Sequence, residues 1–194
     1  VREGLPTDLV VEAATRSGVG RLTVGAWSSG VTAREVHERQ RELGETLRLM
    51  LGRGRAVSLA LSPVPGTLAR RMGVGRDDPL AALASDAAAW EPYLAPVLRR
   101  HGQRVRRWWL GSSRARLMPS DPTLPGLMDD LMTSFRRLAP DPTLVLPWSA
   151  HSGPHPGLGE GVGYVVTVPA GVRPEHLSLQ LSRWPGASAP SSTD

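Results

Sequence analysis

Two tryptophans occupy positions from which a side chain could recognise a ligand, because each closes a segment with the residue pattern of a β-strand. Trp27 ends the segment 19–27, and Trp148 ends the segment 143–148. An indole at a strand end can stack on the apolar face of a sugar ring, which makes both residues candidates for sugar binding. A tryptophan is also a large apolar group that fills a core or its rim. The sequence leaves both interpretations open.

Polar residues that could bind a ligand come shortly after two of the predicted strands. Ser113 and Arg114 come after the predicted strand 104–110, and His151 lies three residues beyond Trp148. In β/α barrels the binding and catalytic groups lie at the carboxyl ends of the strands. We therefore predict substrate contacts from Trp27, Ser113, Arg114, Trp148 and His151. The imidazole of His151 is also suited to hydrogen bonding or acid/base work in a cleft.

Three other chemistries find weaker support. His151 and His155 lie four residues apart, but in a Gly/Pro loop with Glu160 as the nearby carboxylate, so no metal site is predicted. The sequence Gly111-Ser112-Ser113 lacks the closing glycine of a G-x-S-x-G nucleophile elbow. Neither GVGRDDP nor GLGEGVG lies between a clear strand and the start of a helix, as a nucleotide-binding loop would. No cofactor is therefore expected, and no catalytic residue is assigned.

The chain alternates segments of strand-like and helix-like periodicity. The predicted strands are 19–27, 55–62, 104–110, 143–148 and 164–168. The predicted helices are 8–17, 32–51, 79–100 and 122–138, with short helical pieces within 66–79 and 174–181. Asp77 or Asp78 is a plausible cap for the third of these helices, and Pro92 and Pro96 should kink it or split it in two.

Connections long enough to hold a helix imply parallel strands, so we predict an α/β fold built from parallel βα repeats. The first four strand centres fall near residues 23, 58, 107 and 145, a spacing of about 35 to 50 residues. This spacing suits a partial or degenerate TIM-type (β/α) barrel, with a doubly wound sheet as the alternative. We expect one domain over residues 1–184, with a loop insertion at 149–163 and a flexible tail at 185–194. Trp108 and Trp109 are adjacent, so one should face the barrel interior and the other the helix layer.

The charge of the chain does not by itself indicate a nucleic-acid partner. The formal net charge is +5, but all 23 basic residues are arginine, and the absence of Lys, Asn and Ile suggests a GC-rich, bacterial genome. The arginines are scattered or paired, as at Arg99-Arg100 and Arg106-Arg107, and these pairs are expected to border the outer surface. No cysteine is present, so disulfides and thiolate sites are excluded. No apolar run reaches the length of a membrane span, and the compartment is not indicated.

The segment from Trp90 to Gly111 resembles part of the clan A glycoside hydrolases. It reads W-x-P-Y-L-x-P-V-L-x-R-x-G-x-R-V-x-x-W-x-L-G. In that clan of (β/α)8-barrel enzymes, a helix leads through a Gly turn into the fourth barrel strand. This strand carries the motif Val-x-x-Trp and ends at Asn-Glu-Pro. Here His101-Gly102 matches the turn, Val105 enters the strand and Trp108 matches the strand tryptophan.

This resemblance implies about half of a barrel and a carbohydrate ligand. Ser112-Ser113 occupy the positions at which the clan places Asn-Glu, whose Glu is the general acid/base, so the segment has the character of a possible pseudoenzyme. Retaining glycosidases need two carboxyl groups about 5 Å apart, and no such pair can be nominated. The leading hypothesis is thus a glycoside-hydrolase-like segment that binds or acts on carbohydrate. The alternatives are a non-catalytic scaffold or interaction domain and, third, a nucleotide- or phosphate-binding domain. A half-barrel has open sheet edges, so the rest of a longer chain or a second copy is an expected partner.

Overall fold

The computed structural model describes residues 12, 13, 16, 20–27, 33–111, 121–149, 153–167, 173, 176 and 182, with side-chain burial omitted at 33–37, 39 and 167. Residues 12, 13 and 16 of the predicted helix 8–17 are helical, as is residue 176 of the predicted 174–181 segment. The remainder of those two segments and the predicted tail 185–194 lie outside the described residues.

Five strands form one parallel sheet. They are β1 (Arg21–Gly25), β2 (Ala56–Ala60), β3 (Arg107–Trp109), β4 (Thr143–Ser149) and β5 (Val162–Thr167). Each strand pairs with the strand that precedes it in the chain, in the order β1-β2-β3-β4-β5. The predicted α/β class with parallel strands is therefore confirmed, and all five predicted strands are present with shifted ends.

The sequential strand order distinguishes between two arrangements that the sequence left open. A doubly wound sheet reverses its strand order at a switch point and carries helices on both faces. The described strands show no such reversal. Since parallel crossovers are right-handed, five strands in sequential order place the connecting helices on a single face of the sheet.

Five helices connect the strands within the described part of the chain. They are α1 (Ala33–Gly52), α2 (Gly66–Met72), α3 (Pro79–Ala84), α4 (Ala87–His101) and α5 (Leu124–Arg136). The cap predicted at Asp77 or Asp78 is Asp78, whose carboxylate accepts a hydrogen bond of 3.0 Å from the backbone N–H of Ala81.

The predicted helix 79–100 is split in two, but not at its prolines. The break between α3 and α4 falls at Ser85, whose backbone is extended, and at Asp86, whose carboxylate accepts from the N–H of Ala88. Pro92 and Pro96 both lie inside α4 and are exposed. A local cap therefore sets the boundary, and the amide groups that the prolines lack fall on the solvent side of the helix, where their loss is tolerated better.

The core lies between the sheet and the helices. Leu59, Trp108 and Leu144 are neighbours across β2, β3 and β4, and all three side chains are fully buried. Phe135 of α5 packs edge-on against Trp108, with ring centroids 5.7 Å apart. Trp90 of α4 contacts the same phenyl ring at 6.2 Å. This aromatic cluster anchors α4 and α5 to the middle of the sheet.

The connection between β4 and β5 is the one described crossover that contains no helix over its described residues, 153–161. The Trp148 indole N–H donates to the carbonyl of Gly153, and the Tyr164 hydroxyl accepts from the N–H of His155. Gly161 has a left-handed φ of 87°, and an added Cβ would meet the methyl group of Met132 at 2.9 Å. Hydrogen bonds and close packing hold this loop against the sheet and α5. Among the described helices, none combines the length and hydrophobicity needed to cross a bilayer.

Candidate functional site

The sheet has a second face that carries a different set of side chains. We call it the inner face and define it by the residues that alternate with the helix-facing ones on the five strands: Arg21, Thr23, Ser58, Ala60, Arg107, Trp109, Thr143, Val145, Gly163 and Val165. The helix-facing positions are aliphatic or aromatic. The inner face mixes arginine, hydroxyl and apolar side chains. This composition is that of a surface that contacts water or a ligand.

A cavity of about 180 Å³ lies on the inner face. Residues from all five strands line it: Arg21, Thr23, Ser58, Arg107, Trp109, Val145 and Val165. In a flat sheet, four spacings of about 4.8 Å would separate β1 from β5 by roughly 19 Å. Side chains of both edge strands nevertheless reach the same small cavity. The sheet therefore curls, and its inner face is concave.

Two arginines from different strands line this cavity. Arg21 is the first residue of β1 and is exposed, whereas Arg107 is the first residue of β3 and is half-buried. Burial and the positive charge of Arg21 both lower the pKa of the Arg107 guanidinium. Arginine nevertheless stays protonated at neutral pH. The cavity thus holds two positive charges in mutual repulsion.

The described residues that line the cavity include no carboxylate to offset these charges. The lining residues include no Asp or Glu, and within the described ranges neither arginine forms an ion pair. Ser58 is only 6% exposed and makes no side-chain hydrogen bond to another described residue. The cavity therefore offers positive charge and a hydroxyl group but, from these residues, no acid/base pair for hydrolysis.

Trp109 supplies the aromatic part of the cavity. Of the tryptophans that the structure describes, Trp27, Trp90, Trp108 and Trp148 are at most 7% exposed, whereas Trp109 is half-buried. Its indole N–H is shielded from solvent and has no partner among the described residues. The part of the side chain that a ligand can reach is consequently its carbon surface. As predicted, Trp108 and Trp109 point to opposite faces, with Trp108 in the helix layer.

The two tryptophans predicted at strand ends are both buried. Trp27 is 7% exposed, and its indole N–H donates to the carbonyl of Leu61 at 2.5 Å. Trp148 is 4% exposed and packs edge-on against Tyr164, with ring centroids 5.2 Å apart. Neither indole presents an open face in this structure. Sugar stacking on them stays a prediction, and it requires a rearrangement that exposes the rings.

The other three predicted site residues are Ser113, Arg114 and His151, and all of them lie outside the described residues. Of the loop residues considered for a metal, His155 and Glu160 are described, and the described part of the chain contains no group of three or more His, Cys, Asp or Glu side chains placed to hold a metal ion. The structure therefore does not bring the predicted residues together into one described site.

The placement of Arg107 differs from the prediction. From the sequence, the pair Arg106-Arg107 is expected to border the outer surface. Arg106 is exposed, but Arg107 lies on the inner face and lines the cavity. Arg21 and Trp109 were likewise not among the predicted binding residues. A signal for them was present, because Arg107 and Trp109 are two positions apart in a strand and must share a face.

Comparison of this chain with protein-family models, with curated proteins and with solved structures finds no match. The resemblance to clan A glycoside hydrolases consequently depends on the segment Trp90 to Gly111 alone.

Proposed function

We propose that this chain is a carbohydrate-binding α/β module of the (β/α)-barrel type, related in architecture to the clan A glycoside hydrolases. The sequential order of its parallel strands and the concave inner face both support a barrel-like arrangement. A (β/α) barrel has the same strand order and the same curvature, with helices outside and strands inside. In this proposal the sugar binds on the inner face rather than on the buried indoles of Trp27 and Trp148.

The observation that carries the proposal is the position of Trp109 in the inner-face cavity. A half-buried indole beside hydroxyl groups and guanidinium groups offers an apolar surface for a sugar ring and hydrogen-bonding groups for its hydroxyls. The cavity volume of about 180 Å³ is similar to that of a cavity of about 150 Å³ that holds one benzene molecule. The site therefore suits a single six-membered ring, such as one residue of an oligosaccharide.

The test is a calorimetric titration of the whole chain with a panel of neutral and acidic oligosaccharides. Trp109→Ala should remove binding, because it deletes the apolar surface, and Trp109→Phe should retain part of it. Circular dichroism and thermal unfolding of each variant report whether the fold persists. If Trp109→Ala binds every ligand as the parent chain does, or if the parent binds no glycan in the panel, the proposed function is wrong.

A second candidate function is that of an interaction domain, and the sheet edges favour it. Within the described residues, β1 and β5 each pair with only one strand, so each presents one unpaired backbone edge. Such edges can be covered by strands from another polypeptide. Light scattering over a range of protein concentrations distinguishes the interaction domain from the carbohydrate-binding module. Edge pairing between copies makes the measured mass depend on concentration, whereas sugar binding does not require such a dependence.

A further inference from the structure

Arg21 and Arg107 approach the inner-face cavity from two strands that are not neighbours. In the sheet register, Arg21 lies opposite Ala56 of β2, and Arg107 lies opposite Ser58 of the same strand. The two arginines are therefore separated by the width of β2, and Ser58 lies beside Arg107 on that central strand. Both residues nevertheless line the same cavity, Arg21 as an exposed residue and Arg107 as a half-buried one. Two cationic side chains thus contribute to one small volume.

Among the described residues, Arg107 has no carboxylate partner for its charge. Its Nη2 atom is 3.8 Å from the position that a Cβ atom of Gly163 would occupy, so the side chain extends over β4 as far as β5. The other atoms near that point are the methyl carbons of Thr143 and Val145, which carry no charge. A partly buried cation is costly unless an anion accompanies it. The described residues supply none.

Ser58 adds a hydrogen-bonding group to the cavity. The residue is 6% exposed, lines the same cavity and has no side-chain hydrogen bond to another described residue. Its Oγ is not among the fully shielded polar atoms, so the hydroxyl remains accessible from the cavity. This hydroxyl is therefore available to donate to an oxygen atom of a ligand bound there.

We propose that Arg21 and Arg107 bind the oxyanion of one acidic sugar residue, with the hydroxyl of Ser58 donating to the same ligand and Trp109 contacting its ring. The ligand class is thus an oligosaccharide that contains a uronic acid, and this inference rests on the proposed carbohydrate-binding function. Guanidinium groups suit this ligand because they pair with carboxylates through parallel N–H donors. Two arginines from different strands also set the orientation of the ring.

The test compares uronate oligosaccharides of the galacturonate, mannuronate and glucuronate series with the neutral galactose, mannose and glucose oligosaccharides of equal length. We expect the parent chain to bind at least one uronate series about 10-fold more tightly than its neutral counterpart, the equivalent of one strong charge-assisted contact. Arg107→Ala should abolish this preference. Arg21→Ala should weaken it by about 3-fold, because Arg21 is exposed and its contact is screened by solvent.

Arg106→Ala is the matched control. It removes the same charge at the neighbouring position, but Arg106 does not line the cavity. The preference for uronates should be unchanged in this variant. If Arg106→Ala and Arg107→Ala reduce uronate binding equally, a general charge effect explains it and the site assignment is wrong.

The remaining outcomes separate this inference from the function on which it rests. Equal binding of neutral and acidic oligosaccharides overturns the acidic ligand and leaves the carbohydrate-binding function in place. Arg107-dependent binding of inorganic sulfate, with no glycan bound, overturns both the proposed function and the sugar part of the inference. Arg107-dependent binding of a poly-glutamate peptide without uronate binding assigns the inner face to an acidic polypeptide instead, and likewise overturns the inference.

Discussion

The guanidinium of Arg107 extends across one strand and comes to rest over Gly163 of the next. Its Nη2 atom lies 3.8 Å from where a Cβ of Gly163 would be, and the methyl carbons of Thr143 and Val145 lie at 3.6 Å from the same point. Gly163 thus leaves open the space into which the guanidinium projects. A side chain longer than a methyl group at this position would compete with Arg107 for that space.

Substitutions of Gly163 should therefore separate the position of Arg107 from the presence of its charge. Gly163→Ala makes only ordinary van der Waals contacts, so its stability and its preference for uronates should match those of the parent chain. Gly163→Val places two further carbons beneath the guanidinium and should reduce the preference about as much as Arg107→Ala does. Calorimetric titration with the uronate series measures both variants. Full uronate binding by a folded Gly163→Val variant would contradict this role for Arg107.

Trp148→Ala should cost stability rather than act on binding alone. The indole is 4% exposed, donates to the Gly153 carbonyl and packs on Tyr164. Truncation of a buried tryptophan typically costs about 3–5 kcal/mol. Urea unfolding of the variant measures this loss. A Trp148→Ala variant with the parent's unfolding midpoint and no sugar binding would instead support the prediction from sequence that the Trp148 indole stacks on a sugar ring.

Removal of the charge of Arg107 should stabilise the chain in the absence of ligand. Arg107→Met retains an aliphatic side chain in the cavity and relieves repulsion with Arg21, which should raise the free energy of unfolding by a few tenths to about 1 kcal/mol. The gain should shrink as salt is added, because salt already screens this repulsion in the parent chain. Thermal unfolding at low and high ionic strength, with Arg106→Met as the control, measures the effect. A lower melting temperature for Arg107→Met at low salt would contradict it.

The histidine at the end of α4 should make stability depend on pH. Burial, followed by the charges of Arg100 and Arg104, lowers the pKa of His101 below its ordinary value of 6.5. The unfolded chain therefore takes up a proton at higher pH than the folded chain does. Stability from this group is present above pH 6.5 and is lost as the pH falls through the lowered pKa of the folded state.

Variants at position 101 test this linkage. His101→Gln keeps a polar side chain without the titration, so its melting temperature should change less between pH 7.5 and pH 5 than that of the parent chain. His155→Gln serves as the comparison at a second histidine. If His101→Gln and the parent lose the same amount of stability over this interval, His101 is not the group responsible.

Alanine substitutions at two glycines should change the free energy of unfolding in opposite directions. At Gly102, an added Cβ would clash with the Cβ of Ala139 and with the carbonyl oxygen of Leu98, so Gly102→Ala should destabilise by about 1–3 kcal/mol. At Gly126, in α5, nothing lies within 4 Å of the added Cβ, and Gly126→Ala should stabilise by about 0.5–1 kcal/mol through helix propensity. Urea unfolding measures both. A neutral Gly102→Ala would show that the turn after α4 can move away from Ala139.

The fold class was accessible from sequence because it depends on periodicity, which is a local property. The alternation of short apolar runs with helical patterns predicted the parallel α/β arrangement. The position before Pro79 narrowed the cap to Asp77 or Asp78, and the structure shows that it is Asp78. The alternation of side chains between the two faces of β4 also indicated where Trp148 points. In β4 it shares a face with Leu144 and Leu146, both fully buried, and that alternation indicates a core side chain.

The inner-face cavity was not accessible in the same way. On each face of the run 106–110, an arginine is followed by a tryptophan, so neither face is clearly the apolar one. The sequence therefore does not say which tryptophan faces the helices. Only the pairing of Trp108 with Leu59 and Leu144 settles the matter, and that pairing joins distant parts of the chain. The approach of Arg21 to Arg107 depends further on the order and register of β1, β2 and β3, which no local pattern encodes.

The sequential strand order has a consequence for how the sheet assembles. Partners across the sheet, such as Leu22 with Val57, Leu59 with Trp108, Trp108 with Leu144 and Leu144 with Val162, are 35, 49, 36 and 18 residues apart. The β4–β5 pair thus closes the shortest loop and carries the smallest loop-closure entropy cost. During synthesis, each new strand meets a partner that has already emerged, so no strand has to insert between two others. A chain built this way can lengthen its sheet one strand at a time, in the order in which the ribosome delivers it.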